Sequence, residues 1–106
     1  MSDRKLSPVQ KVLLDAADYI EEHGHCKGML WYQGRVCVRG AINVVVGDGP
    51  RFSELSNEEV LFTDKVFCNL EEYLGKDPIC WNNAPERSKE EVVAALRGAA
   101  GLTNPA

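Results

Sequence analysis

Apolar residues recur at helical spacing along most of this chain, and the stretch from His25 to Ala41 is where that spacing breaks. It reads His-Cys-Lys-Gly-Met-Leu-Trp-Tyr-Gln-Gly-Arg-Val-Cys-Val-Arg-Gly-Ala and holds two of the four cysteines and one of the two tryptophans. Met29-Leu30-Trp31-Tyr32 and Arg35-Val36-Cys37-Val38 flank Gln33-Gly34, which predicts an antiparallel hairpin closed by a two-residue turn. In that register Trp31 faces Val36 and Met29 faces Val38, with Tyr32 opposite Arg35 and Leu30 opposite Cys37 on the other side. The first face is wholly apolar, and two strands alone are marginal in water. Helices must therefore pack on it.

The flanking segments supply them. Ser7-Pro8-Val9-Gln10 is a helix start: Ser7 caps, Pro8 stands at the first helical position and Gln10 completes a capping box. Val9, Val12, Leu13, Ala16, Ala17 and Ile20 then make one buried stripe, which Gly24 ends as a left-handed C-terminal residue. Gly40 is expected to close the second strand, and residues 41–46 to form a short helix despite their β-branched valines. Gly47-Asp48-Gly49-Pro50 is a loop. Ser56-Asn57-Glu58-Glu59 and Ser88-Lys89-Glu90-Glu91 are two further capping boxes. Each opens an amphipathic helix, the first ended by Gly75 and Asp77-Pro78, the second by Gly101. Between them Trp81 is expected to anchor the connection Ile79–Pro85 beside the hairpin, with an amide side chain satisfying backbone groups. The fold class is α+β: a mostly helical single domain, 1–106, with an ordered core over about residues 7–101 and an inserted two-stranded hairpin.

Charge narrows the functional classes. The net charge is −4, but residues 1–24, 25–52 and 53–106 carry −2, +3 and −5, so the hairpin is a basic island between acidic helices. An acidic chain is a poor general binder of nucleic acid, whose affinity depends on many Lys and Arg contacts to phosphate. No apolar region follows the charged N-terminus and no run approaches the roughly 18 residues of a membrane span. The expectation is a cytoplasmic protein with no membrane partner, whose cysteines are reduced thiols.

Three fragments, Gly24-His25-Cys26-Lys27-Gly28, Gly34-Arg35-Val36-Cys37-Val38-Arg39-Gly40-Ala41 and Trp81-Asn82-Asn83 followed by Arg87 and a capped helix, resemble in order and spacing a family of small proteins from actinobacteria and their phages, a domain of unknown function. The resemblance spans most of the chain, from the first helix to the last. That family usually has Trp before the cysteine and Trp-Asn-Asp in the later motif, where this chain has His25 and Asn83. A base or ligand role for that aspartate would be lost here. The resemblance implies a fold and a phage or actinobacterial setting, and no known activity.

Several clusters invite a site. His23, His25, Cys26 and Cys37 could offer nitrogen and sulfur to zinc, with Cys80 as a substitute, but the usual paired spacings are missing. A disulfide between Cys26 and Cys37 meets a geometric objection, since Cys26 falls about 13 Å along the strand from the partner of Cys37 unless the chain curls. A Cys26 nucleophile would want its base on the same face, which favours His23 over the adjacent His25. Lys27, Arg35, Arg39 and Arg51 could converge on an anion near the Gly40 and Ala41 amides, with Trp81 and Asn82 alongside. The reading that these patterns support is a non-enzymatic module without a cofactor that binds a host protein or a second copy of itself. Exposed aromatics, Tyr19, Phe52 and Phe62 first, would be its anchors. The alternative is a small anionic, nucleotide-like ligand at the hairpin.

Overall fold

In the computed structural model, which describes residues 6–47 and 49–102, the chain runs helix, hairpin, helix, helix, short helix, helix. Helix α1 is Pro8–His23, strands β1 and β2 are Trp31–Tyr32 and Arg35–Val36, and α2 is Val38–Val46. A 3-10 turn at Phe52–Glu54 leads to α3, Asn57–Leu74, then α4, Pro78–Asn82, and α5, Lys89–Leu102. The expected α+β class is what is observed. The readings placed on the charged N-terminus, on Asp48 and on the tail beyond Leu102 lie outside the described residues.

Local chemistry explains the helix starts. At each capping box the serine oxygen accepts from the N–H three residues on, and that residue's side chain accepts from the serine N–H. The three pairs are Ser7 with Gln10, Ser56 with Glu59 and Ser88 with Glu91. Gly75 ends α3 in the left-handed region, but Gly24 adopts φ 106° with extended ψ, and α5 runs through Gly101 to Leu102. Pro78 does stop α3, yet it also opens α4 at the first helical position, capped by the Asp77 side chain on the Ile79 N–H at 2.8 Å. The connection expected there is thus a helical turn.

The hairpin has the expected register, Trp31 with Val36 and Tyr32 with Arg35, and Gln33 and Gly34 take φ of 50° and 85°, as a primed two-residue turn requires. Its strands are shorter than expected because α2 begins at Val38, with Cys37 as its cap: the Cys37 sulfur accepts from the Gly40 N–H. Gly40 therefore lies inside a helix, where a Cβ would collide with the Leu30 carbonyl oxygen. It lets the hairpin lie directly on α2.

One apolar core joins α1, α2, α3 and α5 through Leu13, Ile20, Ile42, Leu70, Leu96 and their neighbours, and α1 packs most extensively on α5 and α2. Val36 and Val38 enter it. Met29 and Trp31, which share their face in the expected register, do not; they stay 50% and 43% exposed. The hairpin is held down by other means.

Candidate binding site

The hairpin's N-terminal arm is tied to α4 by hydrogen bonds. Asn82 is fully buried, and its Oδ1 accepts from the Val38 N–H at 3.1 Å, satisfying one of the donors that a helix start leaves without an internal partner. Its Nδ2 donates to the Cys26 carbonyl at 3.3 Å and to Asn83 Oδ1 at 2.9 Å, and that oxygen also accepts from the Gly28 N–H. The Lys27 ammonium donates to the Ala84 and Pro85 carbonyls at 2.7 and 3.0 Å. Segment 25–28 is thereby laced to 82–85 by polar groups.

Asn82 also decides the state of His25. Nε2 of His25 lies 2.7 Å from Asn82 Oδ1, an oxygen that can only accept and that already faces the Val38 N–H. The proton therefore sits on Nε2, and Nδ1 is left with a lone pair. Burial lowers the pKa of this imidazole, the Asn82 bond opposes that shift, and the nearby Lys27 charge adds to it.

His25, Cys26, Lys27, Met29, Tyr32 and Arg35 line an open cleft of about 420 Å³. Arg35 lies over the Tyr32 ring, 5.8 Å from its centroid. The cleft forms because the chain curls. The Cys26 N–H donates to the Val36 carbonyl and the Val36 N–H to the Gly24 carbonyl, so His25 runs parallel to Val36 on the side of β2 away from β1. The curl brings Cys26 beside Val36 and Cys37, where a straight strand would have held it away. Both cysteines remain free thiols. Burial, then the neighbouring Cys37, push the Cys26 thiol up to about 11 against the opposing pull of Arg35, and Cys26 Sγ faces the Met29 and Arg35 carbonyls at 3.3 and 3.6 Å. That is a protonated donor, the opposite of an activated nucleophile.

The four cations of the basic island do not meet. Lys27 and Arg35 share the cleft. Arg51 stands 6.0 Å from the Trp31 ring, on the alternate face of the strand. Arg39 is buried at 8% exposure between Phe52 and Phe67, 4.8 Å from each ring, and bonded to Asn43, Thr63 and Asp64. Its charge is compensated inside the fold, because burying a guanidinium needs a carboxylate and satisfied donors. The α2 start offers an anion little, since the Val38, Gly40 and Ala41 N–H groups are taken by Asn82, Cys37 Sγ and the Cys37 carbonyl. Asn82 is enclosed, and Trp81 carries the Arg87 guanidinium 4.1 Å from its ring. Asn82 supports the cleft from beneath His25 and Cys26, whereas Trp81 packs against the core.

His23 bonds the Tyr19 carbonyl and stacks on the Tyr19 ring, 4.0 Å between centroids. Among the described residues no group of three or more His, Cys, Asp or Glu side chains could hold a metal ion. Of the aromatics proposed as anchors, Phe52 is exposed, whereas Tyr19 and Phe62 pack partly on the core. Trp31 and Tyr32 are both exposed; the alternation pattern would not have chosen Trp31, which it assigns to the buried face.

Fold and site together define a small, mostly helical α+β domain that presents a hairpin and a basic cleft. A family model described as a family of unknown function (DUF6197) matches residues 4–102, and the chain belongs to that family. No curated protein and no solved structure matches it. No helix among the described residues is long and apolar enough to cross a membrane.

Proposed function

We propose that this protein is a non-enzymatic binding module whose hairpin docks an acidic surface of a protein partner. The observation that carries the reading is the Trp31 side of the hairpin, where Trp31 is 43% exposed with the Arg51 guanidinium 6.0 Å from its ring, and Phe52, the residue after Arg51, is also 43% exposed. Among the described residues Arg51 has no carboxylate within ion-pair distance, whereas Arg39 and Arg87 each have one and Arg97 has two. Exposed aromatics beside an unneutralised arginine are the residue types that dominate binding energy at interfaces. The positive charge favours an acidic surface opposite it.

The likeness to small actinobacterial and actinophage proteins supplies the setting of this reading: a cytoplasmic protein whose partner is a host protein. The test is affinity capture from an actinobacterial lysate with the wild-type chain and with Trp31→Ser, Phe52→Ser and Arg51→Glu, each shown by circular dichroism to be folded. A protein retained by wild type and lost from all three variants supports the reading. Retention that is indifferent to these changes, or no retained protein, refutes it.

A further inference from the structure

We propose that the cleft on the Tyr32 side of the hairpin binds a nucleoside monophosphate, a site separate from the Trp31 face and independent of the docking reading. Its volume of about 420 Å³ falls in the range of small-ligand sites. Both charged groups in its wall, Lys27 and Arg35, are cations, and among the described residues neither has a carboxylate partner. In a chain with 16 acidic and 12 basic residues, that is a local concentration of uncompensated positive charge. The two partners of the Lys27 ammonium are neutral carbonyls, which bring no counter-charge to it. A phosphate monoester, close to a dianion at neutral pH, matches two cations better than a single carboxylate does, and a guanidinium fork suits its oxygens.

The remaining wall asks for a flat body with a donor. Tyr32 and Met29 are about half exposed and offer a ring face and a thioether. Nδ1 of His25, stripped of its proton by the bond that Nε2 makes to Asn82, accepts from an N–H or O–H of the ligand. Ring, donor and phosphate occur together in a nucleotide. The site is also organised in advance, since segment 25–28 is pinned to 82–85 by the Asn82, Asn83 and Lys27 bonds, which lowers the ordering cost of binding.

The experiment is a titration of ¹⁵N-labelled protein with AMP, GMP, CMP and UMP, with adenosine and inorganic phosphate as separate arms, repeated on Arg35→Gln and Tyr32→Ala. The expected result is saturable amide shifts at residues 25–28, 32 and 35 for at least one nucleotide. Adenosine and phosphate should each be much weaker; Arg35→Gln should lose affinity about tenfold, the equivalent of one charge-assisted contact, and Tyr32→Ala should lose the stacking share of the affinity. No shifts with any nucleotide, shifts mapping elsewhere, inorganic phosphate binding as tightly as the nucleotides, or unchanged affinity in Arg35→Gln would each overturn the assignment.

Discussion

Alanine at position 82 is the perturbation with the clearest structural arithmetic. The change removes an oxygen that accepts from the Val38 N–H and His25 Nε2, and a nitrogen that donates to the Cys26 carbonyl and Asn83 Oδ1. His25 is only partly enclosed and Asn83 is exposed, so both can turn to water. The Val38 N–H and the Cys26 carbonyl are backbone groups of buried residues and cannot. Two orphaned groups at about 1–3 kcal/mol each give about 2–6 kcal/mol, and a water entering the vacated amide volume pulls the total toward about 3 kcal/mol. For a domain of this size that lowers Tm by about 12–24 °C. It removes a large share of the typical 5–15 kcal/mol total, so the variant should fold but weakly. The assay is urea denaturation followed by circular dichroism, with a shifted midpoint and an unchanged slope. Asn83→Ala is the control, since its amide is exposed and its loss should cost less than about 1 kcal/mol. A cost for Asn82→Ala below about 1 kcal/mol, or equal to the control, would refute the claim that this amide holds the hairpin arm to α4.

Arg39→Ala should destabilise by about 2–4 kcal/mol in the same assay, because it empties the space between Phe52 and Phe67 and takes from the buried Asn43 and Thr63 oxygens the N–H donors they accept from. Asp64→Asn keeps an oxygen for the guanidinium but removes the only carboxylate paired with it among the described residues, and should cost about 1.5–3 kcal/mol. With its thiol at about 11, Cys26 should resist iodoacetamide at pH 8, when only about 0.1% is thiolate, while exposed Cys68 and Cys80 alkylate; peptide mass mapping reads the order. For His25, whose pKa burial lowers, the unfolded chain takes up a proton more readily than the folded one, so stability is full above the unfolded value near 6.5 and falls as pH drops through the folded value. Urea midpoints between pH 7.5 and 5 should show this slope in wild type and a flatter one in His25→Gln, which keeps a donor for Asn82; parallel profiles would refute it.

The parts of the fold that sequence reveals are those whose cause lies within three or four residues. Each capping box joins a serine to the side chain three positions on, and the Gln33-Gly34 turn forces its own register. Helix α4 is harder to see because Pro78 serves as both stop and start, and only the Asp77 cap distinguishes them. Cys37 as the cap of α2 is hidden by the choice of sulfur where an oxygen is usual, although Cys-x-x-Gly was present to be read. The site is less legible still. Asn82 meets His25 and Val38 across 57 and 44 positions, and Arg39 meets Thr63 and Asp64 across 24 and 25, distances over which no local pattern speaks. The charge count identifies the basic island but not its division, since which cations are neutralised depends on packing.

The contrast between the two halves of the hairpin's apolar face gives a last prediction. Alternation requires Trp31, Val36, Met29 and Val38 to be covered together, yet only Val36 and Val38 are fully buried. The fold obtains the hairpin's anchorage from Asn82, Asn83 and Lys27 and from the close approach at Gly40, so the aromatic side chains are not needed to hold it. If stability and surface chemistry are separated in this way, Trp31→Ser should change the unfolding free energy by no more than about 0.5 kcal/mol, as surface substitutions do, while removing the capture of any partner that docks on that face. Gly40→Ala should do the reverse: it costs more than about 2 kcal/mol through overpacking against the Leu30 carbonyl, and the fraction that remains folded should still bind. Large destabilisation by Trp31→Ser would mean that the indole is a structural clamp, and the hairpin surface would lose its claim to be an interface.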